Sequence, residues 1–148
     1  MKFYIINGPN LNMLGIREPG IYGHLGYEAL VASTKEYCKD VGVECEFYQS
    51  NHEGDLVDKI QEAYFKKIDG IVINPGAYTH TSIALLDAAK AAMIPLVEVH
   101  ISNLEEREDF RQISYIRAAA IKTISGHGTR GYIEAVDFLK DYLNQEKK

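Results

Sequence analysis

The sequence predicts one α/β domain whose core is a doubly wound sheet of five parallel strands in the order 2-1-3-4-5. Five short β-rich runs alternate with stretches of helical periodicity, which is typical of a parallel sheet wrapped by helices. Residues 3–6 and 71–73 are continuously apolar, as strands buried on both faces are, whereas residues 43–47 alternate polar and apolar side chains. The first and third strands are therefore expected at the centre of the sheet and the second at an edge.

The strands are predicted near residues 2–6, 43–48, 70–74, 95–100 and 121–125. Each helical segment carries one apolar face at helical spacing. The predicted face residues are Leu30, Thr34, Tyr37, Cys38 and Val41; Val57, Ile60, Ala63 and Tyr64; Ile83, Leu86 and Ala89; and Ile133, Val136, Leu139 and Leu143. Ser50 together with Glu53 predicts a capping box at the start of the second helix.

Composition and net charge exclude several classes of protein and of binding partner. The chain has 148 residues, 46% hydrophobic and 25% charged, and a domain of this size buries about 70% of its unfolded surface. Disorder and a disulfide scaffold are therefore excluded. The formal net charge of -5 provides no broad cationic field for nucleic acid or an anionic membrane. Because the apolar run 3–6 ends at once and no run approaches the ~18 residues of a membrane span, we expect a cytoplasmic protein.

The cysteines and histidines do not indicate a metal centre. Cys38 and Cys45 fit no metal-binding or redox spacing and are expected to be buried thiols. His80, His100 and Glu98 can be combined on paper into a zinc site, but neither an HExxH pattern nor a cysteine ligand accompanies them. The expectation is that the site works without a metal ion.

Polar side chains follow the strands at the edge where a doubly wound sheet binds its ligands, beyond the carboxyl ends of strands one and three. They are Asn7, Asn10 and Asn12 after strand one; Asn74, Tyr78 and His80 after strand three; and His100, Ser102 and Asn103 after strand four. The first connection runs for about twenty residues without periodicity, far beyond the usual ~2–6, so residues 12–26 form a candidate lid.

Two glycine-containing motifs resemble nucleotide sites without completing them. Residues 126–131, Gly-His-Gly-Thr-Arg-Gly, match GxGxxG, but the rest of the chain forms one helix and supplies no following strand with an acidic residue. These glycines therefore predict a tight strand-to-helix turn. Residues 7–11 lack the GK[ST] ending of a phosphate loop, and Pro9 removes a backbone donor. Asn7 and Asn74 stand where a magnesium-binding receiver domain needs carboxylates.

The residues by themselves leave the substrate open. A long loop, a polar cleft and imidazoles suit a lyase, an isomerase or a hydrolase acting on a small molecule. Arg17 and Tyr22 lie five residues apart in the loop, and a guanidinium can lower a phenol pKa from about 10 towards neutrality. The alternatives are a module that binds a mononucleotide or flavin, and a structural interaction domain.

Three blocks of sequence closely resemble the type II 3-dehydroquinate dehydratase family. They are residues 7–12, Asn-Gly-Pro-Asn-Leu-Asn, with Arg17-Glu18-Pro19 and Tyr22-Gly23; residues 74–82, Asn-Pro-Gly-Ala-Tyr-Thr-His-Thr-Ser; and residues 98–103, Glu-Val-His-Ile-Ser-Asn, with Arg107-Glu108 and Arg111. The resemblance covers the whole chain. It implies a single flavodoxin-like catalytic domain over residues 1–148, no cofactor or metal, and trimers that assemble into a twelve-subunit particle.

The resemblance also implies a reaction and its residues. The substrate is 3-dehydroquinate, which loses water by anti elimination through an enolate to give 3-dehydroshikimate. Tyr22 matches the base, Arg17 the residue that holds it as phenolate, and His100 the general acid. Asn12 matches the residue that positions a water against the enolate oxygen. The substrate-holding set is Asn74, His80, Ile101, Ser102 and Arg111, with Asp87 matching a position that reaches a neighbouring subunit's site.

Three points lie outside the family pattern or are left open by it. Gly26-Tyr27 stands where the family often has Thr-Leu, so the first helix loses a hydroxyl at its N-cap. Residues 115–123 match the family less clearly than the rest of the chain. The carboxylate of Glu98 is expected to orient an imidazole, either that of His80 or that of His100, and to favour its protonated form.

Overall fold

The computed structural model describes residues 1–16 and 26–147, and within them five strands alternate with four α-helices. The strands are β1 (Lys2–Asn7), β2 (Glu44–Gln49), β3 (Gly70–Asn74), β4 (Leu96–His100) and β5 (Lys122–Ser125). The helices are α1 (Tyr27–Asp40), α2 (Glu53–Phe65), α3 (Ile83–Ala92) and α4 (Arg130–Glu146). Each strand falls where the sequence predicts it, within one or two residues at either end.

All neighbouring strands pair in parallel, in the order β2-β1-β3-β4-β5, which confirms the predicted fold class. The central strands β3 and β4 are buried along their whole length, whereas every residue of β2 keeps some exposure, as expected of an edge. Asn7 stands opposite Asn74 in the register, so the carboxyl ends of β1 and β3 are level. This places the loops that follow both strands side by side.

Two apolar layers cover the sheet, one on each face. Phe3 and Ile5 join the layer that includes helices α1 and α4, whereas Tyr4 and Ile6 join the layer that includes α2 and α3. The alternation follows from the two-residue period of a strand. The same rule puts Val97 and Val99 of β4 in the first layer.

The predicted helix faces are partly wrong in α2 and α3. Tyr64 of α2 is 51% exposed and Ile83 of α3 is 54% exposed, while Leu86 is only half-buried. Ala89 is buried as predicted, but the rest of the buried face of α3 is formed by Leu85, Ala88 and Ala92. The prediction relied on the large residues Ile83 and Leu86, whereas most of the side chains that α3 buries are alanines.

The predicted capping box at Ser50 and Glu53 is also wrong. Helix α2 begins at Glu53 with His52 at the N-cap, so Ser50 lies two residues before the cap. The Ser50 hydroxyl accepts from the His52 amide at 2.9 Å and donates to Asp55 Oδ2 at 2.7 Å. The hydroxyl therefore stabilises the entry to the helix by a different pair of bonds.

The glycine motif after β5 forms the predicted tight turn. Gly126 and Gly128 have φ values of 84° and 62°, in the left-handed region that favours glycine. A Cβ on Gly131 would lie 3.3 Å from side-chain carbons of both Val99 and Ile124, so its absence lets α4 pack closely on the sheet. Gly26, the N-cap of α1, makes no side-chain capping bond, as predicted.

Only one of the two thiols is as buried as the sequence predicts. Cys38 is buried and Cys45 half-buried, and both thiols are free. Among the helices of residues 1–16 and 26–147, none is long and apolar enough to cross a membrane.

Candidate active site

A pocket opens at the carboxyl ends of β1, β3 and β4, where the sequence predicts it. Its volume is about 150 Å³, below the ~300–1,000 Å³ of sites for drug-sized ligands, so it suits a compact molecule. The residues that line it come from the three loops and are Pro9, Asn10, Leu11, Leu14, Asn74, Gly76, Ala77, His80, His100, Ile101, Ser102, Leu104, Arg107 and Arg111.

The loops after β1 and β3 pack against each other backbone to backbone. The Gly8 amide donates to the carbonyl of Asn74 at 2.8 Å, and a Cβ on Gly8 would lie 2.3 Å from the carbonyl oxygen of Pro75. Gly76 has a φ of 60° and meets the Pro9 carbonyl in the same way, at 2.9 Å. Glycine is therefore required at both positions, because any side chain would push the two loops apart.

The charged groups of the pocket are cationic or imidazole. Arg107, Arg111, His80 and His100 line it, and no carboxylate does so among the residues that the structure describes. The chain as a whole has a net charge of -5, so this concentration of positive charge is local. Such a pocket attracts a small anion.

Glu98 is paired with His100, which settles the alternative that the sequence leaves open. The two residues are two apart on β4 and share one face of the sheet, and Glu98 Oε2 lies 2.5 Å from His100 Nε2. The Glu98 side chain is fully buried. Because an ionised carboxylate only accepts hydrogen bonds, Nε2 carries a proton, and Nδ1 is left as the nitrogen for proton exchange with a ligand.

The Glu98 carboxylate stays ionised despite its burial. Burial by itself raises the pKa of Glu98, but hydrogen bonds from His100, Arg117 and Ser114 lower it, and the net pKa lies well below the ordinary value for a glutamate. This buried negative charge is in direct contact with the His100 ring. The pair is therefore an imidazole with a buried counter-ion, at the wall of a cationic pocket.

His80 has the opposite character. Its Nδ1 lies 2.7 Å from the carbonyl oxygen of Ile113, which can only accept, so Nδ1 carries a proton and Nε2 is an acceptor when the ring is neutral. Burial, together with the charges of His100, Arg111 and Arg107, lowers the pKa of His80. Below neutral pH this ring remains uncharged longer than a free histidine does, and it can accept a hydrogen bond from a ligand hydroxyl.

The turn after β4 presents backbone donors. The carbonyls of His100 and Ile101 accept from the amides of Gly126 and Gly128, so the glycine turn holds this segment in place. Within the described residues, the amides of Ile101 and Ser102 donate to no protein acceptor. The Ser102 hydroxyl accepts from Arg107 Nη1 at 3.1 Å. Two amides, a hydroxyl and a guanidinium are a suitable set for a carboxylate.

A buried hydrogen-bond network behind the pocket was not predicted. Tyr132 Oη donates to Asn7 Oδ1 at 2.6 Å and accepts from Asn74 Nδ2 at 3.0 Å. Asn7 Nδ2 in turn donates to Tyr27 Oη at 3.3 Å, and Asn74 Oδ1 accepts from the Gly76 amide at 3.1 Å. The network fixes both asparagine side chains. Its signal in the sequence is weak, because Tyr132 lies 125 residues from Asn7.

We expect Tyr132→Phe to lower the free energy of unfolding by about 1–3 kcal/mol, because the buried atoms Asn7 Oδ1 and Asn74 Nδ2 each lose the hydrogen bond that they make to the Tyr132 hydroxyl. Tyr142→Phe is the matched control, since Tyr142 is on the same helix and stacks on Phe138. It should change the stability by less than about 0.5 kcal/mol. Urea denaturation measures both variants, and equal changes would mean that the network contributes nothing of its own.

The remaining predicted site residues are not all in the pocket. Asn12 lies in the short 3-10 helix Leu11–Met13, is exposed, and its Oδ1 accepts from Gln49 Nε2 at 3.4 Å. Asp87 is exposed on α3, away from the pocket lining. Arg111 lines the pocket and also binds Glu108 through its Nε at 2.5 Å.

Arg17 and Tyr22, with most of the candidate lid, lie outside the described residues. Among the residues that are described, no group of three His, Cys, Asp or Glu side chains is arranged to hold a metal ion. The structure thus brings together His80, His100, Ile101, Ser102 and Arg111 with Asn74.

Comparison with known proteins shows similarity over nearly the full chain. Residues 1–140 match the model of the family described as dehydroquinase class II. The chain is 56% identical over 147 residues to a 3-dehydroquinate dehydratase of Fusobacterium nucleatum, covering 98% of this chain and 100% of the relative. It is 54% identical over 143 residues to one of Caldicellulosiruptor bescii, covering 97% and 99%.

Solved structures agree with the sequence relatives. The type II dehydroquinase of Butyrivibrio crossotus superposes with a TM-score of 0.92 at 58% identity, covering 95% of this chain and 97% of that one. A type II dehydroquinase of Propionibacterium acnes superposes with a TM-score of 0.89 at 39% identity, covering 93% and 94%.

Proposed function

The chain belongs to the class II dehydroquinase family, and on that premise we propose how its residues divide the work of the family's reaction. The function is that of a 3-dehydroquinate dehydratase of type II, a hydro-lyase of the shikimate pathway. It removes water from 3-dehydroquinate to give 3-dehydroshikimate. The observation that carries our assignment of residues is the His100–Glu98 pair at the wall of a cationic pocket.

The reaction needs three groups. A base takes a proton from the carbon next to the ketone, a stabiliser holds the resulting enolate oxygen, and an acid gives a proton to the departing hydroxyl so that it leaves as water. His100 is the acid in our proposal. Its support is the buried negative charge of Glu98 on one ring nitrogen, which maintains the proton that the ring delivers.

We assign the base to Tyr22 and its activation to Arg17, on the strength of the family motif that the sequence carries at these positions. A guanidinium beside a phenol lowers its pKa, because it stabilises the phenolate. We assign to Asn12 the role of positioning the water molecule that faces the enolate oxygen. Its exposed position beside Gln49 leaves its amide accessible to solvent.

In our proposal the turn after β4 binds the carboxylate of the substrate. The backbone amides of Ile101 and Ser102 and the Ser102 hydroxyl donate hydrogen bonds to it. The assignment is supported because, among the described residues, neither amide has a protein acceptor. His80, as a neutral acceptor, is assigned to a ring hydroxyl, and Arg111 to a more distal one. Asn74 contributes through the second Nδ2 hydrogen and the second Oδ1 lone pair, which its bonds to Tyr132 and Gly76 leave free.

The assembly is also part of the proposal. We assign the chain to trimers that form a twelve-subunit particle, with Asp87 reaching the site of a neighbouring subunit. Phe65, Met93 and Phe110 are 77%, 78% and 70% exposed, and in this proposal contacts between subunits cover such side chains. We further propose a cytoplasmic location and no nucleic-acid or membrane partner. The net charge of -5 supports the absence of such partners.

The test is an ultraviolet assay of the purified protein with 3-dehydroquinate, following the conjugated enone carboxylate of the product in the presence of EDTA. We expect product to form at a rate that EDTA leaves unchanged. A folded and assembled protein that forms no product would contradict the assignment. The same sample is tested for flavin absorbance and for thermal stabilisation by mononucleotides, either of which would favour a binding module on this fold.

A further inference from the structure

The carboxylate of Glu98 is held by more groups than the proton-donor role of His100 needs. Ser114 Oγ donates to Oε2 at 2.5 Å, beside the bond from His100. On the other oxygen, Oε1, Arg117 Nε donates at 3.0 Å and Thr123 Oγ1 at 2.8 Å. Arg117 Nη2 also reaches Oε2 at 3.3 Å, so the guanidinium spans both oxygens.

Arg117 and Thr123 both come from residues 115–123, the segment whose sequence resembles the family less clearly than the rest of the chain. Arg117 lies in the short 3-10 helix Ile116–Ala119, and Thr123 stands directly opposite Glu98 in the β4–β5 register. The Arg117 side chain is 47% exposed, whereas that of Glu98 is fully buried. One end of this guanidinium therefore reaches solvent while its other end neutralises a buried charge.

The charges around the His100 ring act in opposite directions. Glu98 favours the imidazolium, and the positive charges of Arg117, Arg107 and Arg111 disfavour it. His80 is the remaining titratable group of the described pocket lining. Arg117 differs from the two other arginines because it touches the counter-ion itself and does not line the pocket. It can therefore change the proton donor without contacting the substrate.

We propose that Arg117, assisted by Thr123, is a positioning residue that makes His100 a readier proton donor by neutralising part of the Glu98 charge. The inference deepens the proposed function, on which its catalytic consequence rests. With Arg117 in place, Glu98 still fixes the ring through Nε2, but it holds the ring proton less tightly. Without Arg117, Glu98 binds the imidazolium more strongly, and the departing hydroxyl receives its proton less easily.

The test is the titration of the histidine rings by NMR in the assembled protein, with the His100 resonance assigned from its absence in His100→Asn. We expect Arg117→Gln to raise the pH at which the ring loses its proton by roughly 0.5–1 unit, because a half-exposed cation is partly screened. Arg117→Lys, which keeps the charge, should restore most of the original value. Thr123→Val, which removes one bond and no charge, should give a smaller rise.

Arg130→Gln is the matched control. Arg130 is 82% exposed at the start of α4, and its Nε lies 3.9 Å from Glu134, so this variant removes the same charge at another site. It should leave the His100 titration unchanged. An equal shift in Arg130→Gln, or no shift in Arg117→Gln, would overturn the proposal. Should Arg117→Gln fail to fold, Thr123→Val provides the test. A rise in the pH at which His100 loses its proton would support the proposal, and no change or a fall would refute it.

Activity gives a second readout. In Arg117→Gln we expect the alkaline limb of the pH profile of kcat to move to higher pH, by the same amount as the ring titration. The kcat on the plateau should fall about two- to three-fold with little change in KM. A loss of kcat without movement of the limb would assign Arg117 a merely structural role. The NMR titration does not depend on turnover, so failure of the dehydratase assignment and failure of this inference are distinguishable.

Discussion

His100→Ala is expected to lower kcat for the dehydration of 3-dehydroquinate by about a thousand-fold, within the ~10²–10⁴ range of general acid catalysis. Hydroxide is a poor leaving group. Without His100, the departing hydroxyl of the enolate must take its proton from solvent. The variant should fold, because Glu98 keeps its bonds from Ser114, Arg117 and Thr123. Steady-state assays give kcat and KM, and we expect the loss to fall mainly on kcat.

The control for this variant is His127→Ala. His127 is also paired with a glutamate, since its Nδ1 lies 2.5 Å from Glu134 Oε2, but its side chain is 55% exposed and it does not line the pocket. Its replacement should leave kcat within about two-fold, as surface substitutions usually do. Retention of more than a tenth of kcat by His100→Ala would exclude His100 as the acid.

Tyr22→Phe is expected to lower kcat by at least a thousand-fold while the protein still folds and binds substrate. Phenylalanine keeps the aromatic ring but has no group that can accept the substrate proton. Tyr37→Phe is the matched control, because its hydroxyl donates to Asp137 at 2.6 Å on the outside of α1. That variant should retain normal turnover.

Isotope exchange separates the roles of the two residues. In deuterated water, NMR of 3-dehydroquinate follows the exchange of the hydrogen next to the ketone. We expect Tyr22→Phe to lose this exchange, because no enolate forms, and His100→Ala to retain it, because the enolate returns to substrate. Exchange at the normal rate in Tyr22→Phe would show that another group is the base.

The strand order could be predicted from the sequence because burial is recorded locally. Residues 71–73 are apolar on both faces, and only a central strand buries both. The alternation of residues 43–47 likewise reports an edge position. The chemistry of the site was predictable for a similar reason, since His80, His100 and Ser102 lie at or after the ends of strands whose carboxyl ends must meet in any parallel sheet.

Other features could not be predicted because small or polar residues carry little local signal. Helix α3 also buries Ala88 and Ala92, which were not predicted, because alanine does not mark a buried face by itself. Ser50 fits a capping box by spacing, yet its hydroxyl bonds to Asp55 because the chain enters α2 two residues later than the pattern indicates.

The sequence by itself determined the fold class, the strand order and the set of polar groups at one edge of the sheet, because these follow from short-range periodicity and from motif blocks within single loops. Only the tertiary structure decided the pairing of those groups. Glu98 selects His100 over His80, Arg117 and Thr123 complete its bonds, and Tyr132 joins Asn7 to Asn74. These contacts join residues brought together by burial of the whole core, and a buried polar group takes whatever partner the packing supplies.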